Sequence, residues 1–151
     1  MILGVDHASF TVSDMERTID FYRDVLGMKV AYDSLEAGVE NKGPICDMIT
    51  GCPGTEQRIV YVTVGKSKIE LVEYKPTGKA LRDNKASDTG SAHVCFRTDD
   101  IAGLYDKLVA YGVRVHCEPQ GRGPRKVMYF RDPDGIILEA IEGPPRITFE
   151  D

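Results

Sequence analysis

Residues 6–10 of this chain, DHASF, return in altered form at residues 92–96, AHVCF. In both copies an Asp follows the His by seven residues, at Asp14 and Asp100. A Gly then follows the His by 20 residues in the first copy and by 19 in the second, after a stretch of helical character. The repetition predicts two similar modules, each of which begins with a strand and continues into a helix.

A second repeated feature comes later in each half, where a hydrophobic run contains carboxylates. Residues 69–74 read IELVEY, and residues 138–143 read LEAIEG. Each half therefore contributes one His and at least one Glu from segments that are typical of strands. Two such halves that pack face to face form a pseudo-symmetric site with four ligands, and we interpret that site as the functional centre.

Length and composition limit the possible functions. The chain has 151 residues, 42% of them hydrophobic and 28% charged, which fits one globular domain over residues 1–151. A net charge of −5 and the lack of a Lys/Arg stripe argue against nucleic acid as a partner. No apolar run approaches about 20 residues, so we expect no contact with the membrane interior. The first residues, MILGVD, lack a signal-peptide pattern, and we expect a cytoplasmic protein.

Four cysteines occur, and their spacing matches no known zinc motif. They are Cys46, Cys52, Cys95 and Cys117. Neither CxxC nor the Cys/His spacing of zinc fingers is present. Because a cytoplasmic protein meets a reducing environment, we expect four free thiols rather than two disulfides.

The first module is predicted to span residues 1–75 and to open with a strand over Val5–Val12. Ser13 and Glu16 fit a capping box at the start of the following helix. Gly27 is suited to end that helix, and a short strand is expected over residues 29–33. The inward stripe of the helix is predicted to consist of Met15, Ile19, Tyr22 and Leu26.

Residues 34–57 interrupt the periodic pattern, since they are rich in Gly and Pro. A long connection of this kind predicts a functional loop or a mobile lid. Two strands follow, over residues 58–64 and 67–74, with a tight turn at Gly65 and Lys66. Residues 76–90 are polar and predict a connector between the modules.

The second module is predicted over residues 91–143, with a strand at Ala92–Arg97. Asp99 or Asp100 caps the next helix, which Gly112 ends, and the residues facing inward are expected to be Ile101, Leu104, Leu108 and Tyr111. Strands are expected near residues 113–117, 127–131 and 136–142, with a turn at 132–135 and a peripheral tail at 144–151.

Strand alternation places the candidate ligands on one face. His7 and His93 lie opposite the apolar residues that face the helix of each module, and Glu70 lies opposite Ile69 and Leu71. Both faces of the last strand are apolar, so alternation alone does not orient Glu139. Alignment of the two repeats pairs Glu70 with Glu139, and it pairs Glu73 with Glu142 on the opposite face.

The proposed set of His7, Glu70, His93 and Glu139 suits a divalent metal ion, because imidazole and carboxylate are ligands of zinc, nickel, cobalt, manganese and ferrous iron. The alternative is that each His is a polar residue whose ring bonds to nearby hydroxyls or carbonyls. A pattern duplicated at four positions favours the metal site. We expect one ion per site and leave its identity open.

Other polar residues are candidates for substrate binding. Cys95 and Arg97 share the strand face of His93, where Cys95 is either a small lining residue or a thiolate beside a ligand. Arg125, in a cluster with Arg122 and Lys126, can hold an anionic group of the substrate, or it can belong to a solvated loop. His116 has no counterpart in the first module, and we interpret it as an ordinary surface or strand residue.

The chain resembles the vicinal oxygen chelate superfamily, which includes glyoxalase I, methylmalonyl-CoA epimerase, extradiol dioxygenases and bleomycin-resistance proteins. The matching stretches are residues 6–12, 19–27, 68–71, 91–96 and 130–139. The resemblance implies an α+β fold in which two βαβββ modules form a half-open, curved mixed sheet. It also implies that His7, Glu70, His93 and Glu139 are the metal ligands. Glu at the second of these positions looks more like glyoxalase I than like the epimerases.

The resemblance implies an enzyme, a metal-dependent lyase, isomerase or epimerase. Its substrate is expected to be a small molecule with oxygens on neighbouring atoms, which reacts through an enediolate or enolate. Glu139 and Glu70 are the expected proton-transfer groups. The alternatives are a non-catalytic binding or resistance protein and a ferrous extradiol-type dioxygenase. Members of this superfamily often complete their sites with a second chain, so we expect a homodimer.

Overall fold

The computed structural model describes residues 1–80 and 83–147, and of Arg122 it describes only the backbone. The chain divides into two compact units, residues 1–81 and residues 82–151, here called the first and second units. The first unit contains strands β1 to β5 and two helices. In chain order the elements are β1 (Ala8–Val12), α1 (Met15–Asp20), a π-helical segment (Phe21–Val25), β2 (Lys29–Asp33), β3 (Asn41–Lys42), α2 (Pro44–Thr50), β4 (Glu56–Val64) and β5 (Ser67–Lys75).

The second unit repeats this plan with fewer elements. They are β6 (Val94–Arg97), α3 (Ile101–Tyr111), β7 (Gln120–Arg122), β8 (Arg125–Arg131) and β9 (Ile137–Glu142). No helix in the described parts of the chain is long and apolar enough to cross a membrane.

Each unit forms one mixed sheet in which the first strand lies parallel to the last. The order is β1-β5-β4-β2 in the first unit, with β3 beside β4, and β6-β9-β8-β7 in the second. The β1–β5 and β6–β9 pairs are parallel, and the remaining pairs are antiparallel. Parallel neighbours need a crossover connection, and α1 and α3 lie within those crossovers. This arrangement confirms the predicted α+β class and its two βαβββ modules.

Strand alternation separates an apolar face from a polar face in both sheets. In the first unit Val60, Val62 and Leu71 are fully buried, whereas their neighbours Tyr61 and Glu70 are only half-buried. In the second unit Phe130, Leu138 and Ala140 are fully buried, whereas Tyr129 and Glu139 are half-buried. The apolar residues form the core of each unit, and the polar residues share the other face of each sheet.

The first helix begins one residue later than the sequence pattern predicted. Asp14, not Ser13, is the cap, and its carboxylate accepts a hydrogen bond from the backbone N–H of Arg17 at 3.0 Å. Asp14 has the extended backbone of a cap residue, and the Ser13 hydroxyl accepts from the Arg17 side chain at 3.0 Å. The predicted inward stripe holds, with Met15, Ile19 and Tyr22 buried and Leu26 half-buried. Gly27 follows the helix with a φ of +72°, as expected of a terminating Gly.

The second-unit helix α3 confirms most of its prediction. Asp100 caps it by accepting from the N–H of Gly103 at 2.8 Å, and Gly112 ends it with a φ of +87°. Ile101 and Leu108 are fully buried. The inward placement of Tyr111 is wrong, since Tyr111 is 40% exposed in the last turn of the helix.

Three further predictions need correction. The first strand starts at Ala8 rather than Val5, because pairing with β5 begins where Ala8 lies opposite Ile69. Residues 34–57 are not structureless, since they contain β3 and α2, and α2 starts with Pro44 in the first turn that Pro favours. The strand predicted at residues 113–117 is reduced to a single bridge, between Val115 and Phe130.

Hydrogen bonds hold the turn after β8 together, and others attach Asn84 of the connector to Arg131 at the end of β8. Asp132 accepts hydrogen bonds from the N–H groups of Asp134 and Ile136 at 2.9 and 2.8 Å, as the turn prediction requires. Arg131 donates to the backbone carbonyl of Asn84 at 2.6 Å and to the Asn84 side chain at 3.2 Å. Asn84 is thereby fixed to β8, although no described residue between 76 and 93 lies in a helix or strand.

Candidate functional site

In the first unit, the structure brings His7 and Glu70 together. His7 lies directly before β1, and Glu70 lies in β5, which runs parallel to β1. His7 Nε2 is 3.5 Å from Glu70 Oε2, and both side chains are partly shielded from solvent, with 31% and 16% exposed. We call these two residues the first pair.

Two hydroxyl groups hold the carboxylate of Glu70. Ser9 donates to Oε2 and Tyr61 donates to Oε1, each at 2.7 Å. Ser9 and Tyr61 are the residues opposite Glu70 on its two neighbouring strands. The carboxylate and partial burial raise the pKa of Tyr61 to about 12, so its hydroxyl remains a donor at neutral pH. Both oxygens of Glu70 are therefore oriented by neighbours that stay protonated.

Asp6 orients the ring of His7. Its Oδ1 accepts from His7 Nδ1 at 2.8 Å and also lies 2.9 Å from Lys68 Nζ. These two contacts lower the pKa of Asp6, so it remains a carboxylate. A carboxylate on Nδ1 leaves Nε2 as the nitrogen that can bind a ligand, an arrangement that metal-bound histidines commonly show.

In the second unit, His93 and Glu139 form the second pair. His93 lies directly before β6, and Glu139 lies in β9, which is parallel to β6. His93 Nε2 is 3.0 Å from Glu139 Oε2, and the Tyr129 hydroxyl is 3.4 Å from the same nitrogen. Burial, followed by the charge of Glu139, raises the pKa of Tyr129.

The strand registers show that the two pairs are equivalent. Ser9 lies opposite Glu70 across the β1–β5 pair, and Cys95 lies opposite Glu139 across the β6–β9 pair. On the other side, Tyr61 lies opposite Glu70 and Tyr129 lies opposite Glu139. Each pair therefore has a Tyr on one neighbouring strand and a small Ser or Cys on the other.

The other two carboxylates of the repeats face the helices, which agrees with strand alternation for Glu73 and with the alignment of the repeats for Glu142. Glu73 accepts from the N–H of Met15 at 3.3 Å, and Glu142 accepts from the N–H of Ile101 at 2.8 Å. Met15 and Ile101 are the first residues of α1 and α3. Negative charge at a helix N-terminus is stabilising, so Glu73 stabilises α1 and Glu142 stabilises α3.

The distances within each pair fit adjacent ligands of one metal ion. Two ligands at about 2.1 Å from a metal lie about 3.0 Å apart in octahedral geometry and about 3.4 Å apart in tetrahedral geometry. The observed separations of 3.5 and 3.0 Å agree with these values. Across residues 1–80 and 83–147, no group of three or more His, Cys, Asp or Glu side chains that could hold a metal is present.

Cys95 and Arg97 lie on β6 next to the second pair. Desolvation and the neighbouring Glu139 raise the pKa of the Cys95 thiol to about 12, so the thiol stays protonated at neutral pH. This argues against a thiolate nucleophile at Cys95. Arg97 donates to the backbone carbonyl of Gly143 at 3.0 Å and is exposed. All four cysteines are free thiols, as predicted.

Arg125 is the first residue of β8, so the solvated loop that was its alternative placement is wrong. Its side chain is half-buried, and its Nε and Nη1 atoms are buried without a hydrogen-bond partner in the described structure.

His116 is closer to the site than the sequence indicated. Its ring stacks on Tyr129, with ring centroids 6.1 Å apart and planes inclined by 22°. It also has a counterpart, since Tyr32 lies against Tyr61 in the first unit at 6.0 Å. Arg131 donates to His116 Nε2 at 3.1 Å, and burial together with Arg131 lowers the pKa of His116, so the ring is neutral at neutral pH.

Sequence reasoning missed Asp6, Tyr61 and Tyr129. Asp6 was visible as the neighbour of His7, but nothing in the sequence showed that its carboxylate turns back onto the ring. The two tyrosines stand nine and ten residues before their Glu partners, and this unequal spacing hid their equivalence. The antiparallel strand registers show that Tyr61 and Tyr129 occupy equivalent positions.

The chain that carries this fold and these two His–Glu pairs matches a known protein superfamily. Residues 4–140 match the model of the glyoxalase/bleomycin resistance protein/dioxygenase superfamily, and the chain belongs to that superfamily. It is 28% identical to a 2-epi-5-epi-valiolone epimerase from Actinomyces sp, over 98% of this chain and 84% of that protein. It is 30% identical to a lactoylglutathione lyase from Escherichia coli O157:H7, over 90% of both proteins.

A solved structure supports the fold. The glyoxalase family protein from Bacillus cereus matches with a TM-score of 0.81 and 22% sequence identity, covering 94% of this chain and 95% of that one. The relatives thus include enzymes of two reaction types, a lyase and an epimerase.

Proposed function

We propose that this protein is a divalent-metal-dependent enzyme, a lyase, isomerase or epimerase, and that His7, Glu70, His93 and Glu139 are its metal ligands. The observation that carries the proposal is the repeated pair, in which one imidazole nitrogen and one carboxylate oxygen lie 3.5 Å apart in the first unit and 3.0 Å apart in the second. In both units the pair lies on the polar face of the sheet, opposite the residues that form the apolar core.

The donor set fits a divalent ion of the zinc, nickel, cobalt, manganese or ferrous type, because it combines two imidazoles with two carboxylates. When bound, such an ion supplies Lewis acidity that favours the loss of a proton from carbon next to a substrate carbonyl. Asp6 holds the first imidazole with Nε2 free for coordination, and Ser9 and Tyr61 hold Glu70 in place. The first pair is thus oriented before any ligand arrives.

The proton transfer falls to the carboxylates. Glu70 is held by two short hydrogen bonds from hydroxyl groups, whereas the closest partner of Glu139 is His93. If His93 Nε2 binds the metal, that hydrogen bond is given up, and Glu139 keeps only the weaker contacts with the Cys95 thiol and the Tyr129 hydroxyl. We therefore assign the proton-transfer role to Glu139, with Glu70 as the second group for a reaction that needs a proton on the opposite face.

The substrate in this proposal is a small molecule with oxygens on adjacent atoms, which reacts through an enolate or enediolate. A lyase of the glyoxalase I type and an epimerase both use that chemistry, and relatives of this chain include one of each. We favour the glyoxalase I type because Glu, rather than Gln, occupies position 70.

The test is metal analysis joined to activity screening of the purified full-length chain. We expect one divalent ion per set of four ligands, and turnover of one of three probes: a hemithioacetal, an acyl-CoA epimer pair or a keto-sugar. Exchange of substrate hydrogen for solvent deuterium would identify the proton-transfer step. A protein that binds one of these probes but contains no metal and turns none over is a binding module, and the proposal fails.

We further propose a homodimer located in the cytoplasm. Strands β1 and β2 form the edges of the first sheet, and β6 and β7 form those of the second. Open edges invite pairing with other chains unless a partner covers them. Four free thiols are what a reducing compartment maintains. Sedimentation at micromolar concentration tests the dimer, and a monomer with metal bound would contradict it.

A further inference from the structure

The guanidinium of Arg125 is the most unusual polar group of the second unit. Its Nε and Nη1 atoms are buried and have no hydrogen-bond partner among the described residues. An Arg side chain remains charged at any pH that a protein experiences, so it cannot avoid this cost by losing a proton. Buried donors that lack a hydrogen-bond partner are costly, which indicates that these two nitrogens meet a partner that the chain does not supply.

Arg125 faces the second pair. It precedes Tyr129 by four residues on β8, so both side chains lie on the same face of the sheet. Its positive charge acts on the Cys95 thiol, whose pKa it lowers against the larger effect of desolvation. Cys95 in turn lies opposite Glu139 in the strand register. The free donors of Arg125 therefore belong to the face that carries His93 and Glu139.

The equivalent position of the first unit has the same property. Gln57 precedes Tyr61 by four residues on β4, as Arg125 precedes Tyr129. Gln57 is only 7% exposed, and its Nε2 atom is also buried without a partner. Gln57 and Arg125, together, account for every such unpartnered side-chain atom found in the described structure. Their shared position indicates that both point toward a ligand, one with a neutral amide and the other with a charge.

We propose that Arg125 binds an oxyanion, a carboxylate or a phosphate group, carried by the substrate of the second pair. This inference rests on the function proposed above and names its substrate class: the substrate is an anion. The chain has a net charge of −5, which repels anions in general, so a dedicated cation at the site is needed to hold one. Donors to a charged acceptor give the strong class of hydrogen bond that such binding uses.

The experiment uses inorganic phosphate and succinate as probes, titrated into the full-length chain as purified and again after metal removal. Calorimetry gives the affinity, and the Arg side-chain N–H signals in NMR show which Arg responds. We expect saturable binding of at least one probe with and without metal. Arg125→Gln, which places the first-unit residue type here, should weaken it about ten- to hundredfold. Comparison of the two probes separates a carboxylate from a phosphate site.

Lys126→Gln is the matched control, because it removes one positive charge from the next residue, which is exposed. It should change the affinity by less than about twofold. Arg125→Lys keeps the charge but not the guanidinium donors, and it should bind with intermediate affinity. It also serves if Arg125→Gln does not fold.

Equal weakening by Arg125→Gln and Lys126→Gln would overturn the inference, since it would show a general charge effect. Absence of saturable binding of either probe would overturn it as well. The function proposed above fails by a different result, the lack of metal and of turnover, so the two failures can be told apart. Binding that disappears with the metal but persists in Arg125→Gln would keep the metal site and reject the oxyanion site.

Discussion

The carboxylate of Glu142 accepts a hydrogen bond from the backbone N–H of Ile101, the first residue of α3, at 2.8 Å. Glu73 makes the same contact with α1, so the repeat contains two kinds of Glu on opposite faces of one strand. Glu73 and Glu142 support the helices, whereas Glu70 and Glu139 face the histidines.

The helix-supporting role predicts the effect of removing Glu142. Glu142→Ala should lower the free energy of unfolding by about 1–2 kcal/mol, because a charged acceptor and a favourable helix-end charge are both lost. Metal content per folded chain should remain as in the wild type. Urea unfolding and metal analysis of the same preparation measure both quantities. Loss of metal without loss of stability would place Glu142, rather than Glu139, at the metal.

Substitutions in the second pair should distinguish a residue that only binds the metal from one that also transfers the proton. His93→Ala is expected to reduce metal content and turnover together, because His93 has no role beyond coordination in the proposed mechanism. Glu139→Gln keeps an oxygen ligand and much of the metal, yet it removes the group that moves the proton. Its turnover should fall by about 10²–10⁴. Near-normal turnover in Glu139→Gln would leave Glu139 as a ligand only and transfer the base role to Glu70.

The hydrogen bond from Tyr61 to Glu70 should affect stability at high pH. The pKa of Tyr61 is raised to about 12 in the folded protein, whereas an unfolded Tyr titrates near its ordinary pKa of 10.0. The stabilising contribution is fully present below pH 10 and is lost as the pH rises toward 12, because only the unfolded chain releases the proton in that window. Tyr61→Phe should therefore lose less stability than the wild type between pH 10 and 12.

Denaturant unfolding at a series of pH values measures this difference. Tyr105→Phe, a change in α3 at a residue of intermediate exposure, is a suitable control for the loss of one phenol. Identical pH dependence in the wild type and Tyr61→Phe would show that the hydroxyl is not coupled to Glu70.

The raised pKa of Cys95 predicts low reactivity. Cys95 and Cys117 are both exposed. With a pKa of about 12, the Cys95 thiolate is a very small fraction at pH 8, and iodoacetamide should modify Cys95 far more slowly than Cys117. Peptide mass mapping over a time course compares the two sites in one sample. Faster labelling of Cys95 than of Cys117 would indicate an activated thiol and reopen a nucleophilic role. Glu139→Gln should speed the labelling of Cys95, because it removes a neighbouring negative charge.

Much of the fold was determined by the sequence alone, because its signals are local. Alternation of apolar residues placed Glu70 and Glu73 on opposite faces, and the repeat extended that assignment to Glu139, where alternation was ambiguous. Gly27 and Gly112 marked the ends of the helices, and the turn at residues 132–135 was evident from its residue types. These features depend on residues within a few positions of one another.

The sequence was less decisive where two neighbouring residues could each cap the same helix. Ser13 and Asp14 both suit a helix cap, and the choice between them depends on backbone angles and on where the Arg17 side chain goes. The helix α2 within residues 44–50 was likewise hidden by the many glycines around it.

The surroundings of each His–Glu pair were decided only by the tertiary structure. Tyr61, Ser9 and Glu70 meet because an antiparallel and a parallel strand pairing set them side by side, and neither register can be read from spacing along the chain. The same holds for Arg125, whose sequence context suggested a loop. Only the folded sheet buries two of its guanidinium nitrogens without giving them a partner, because burial depends on what packs around a residue and not on the residue itself.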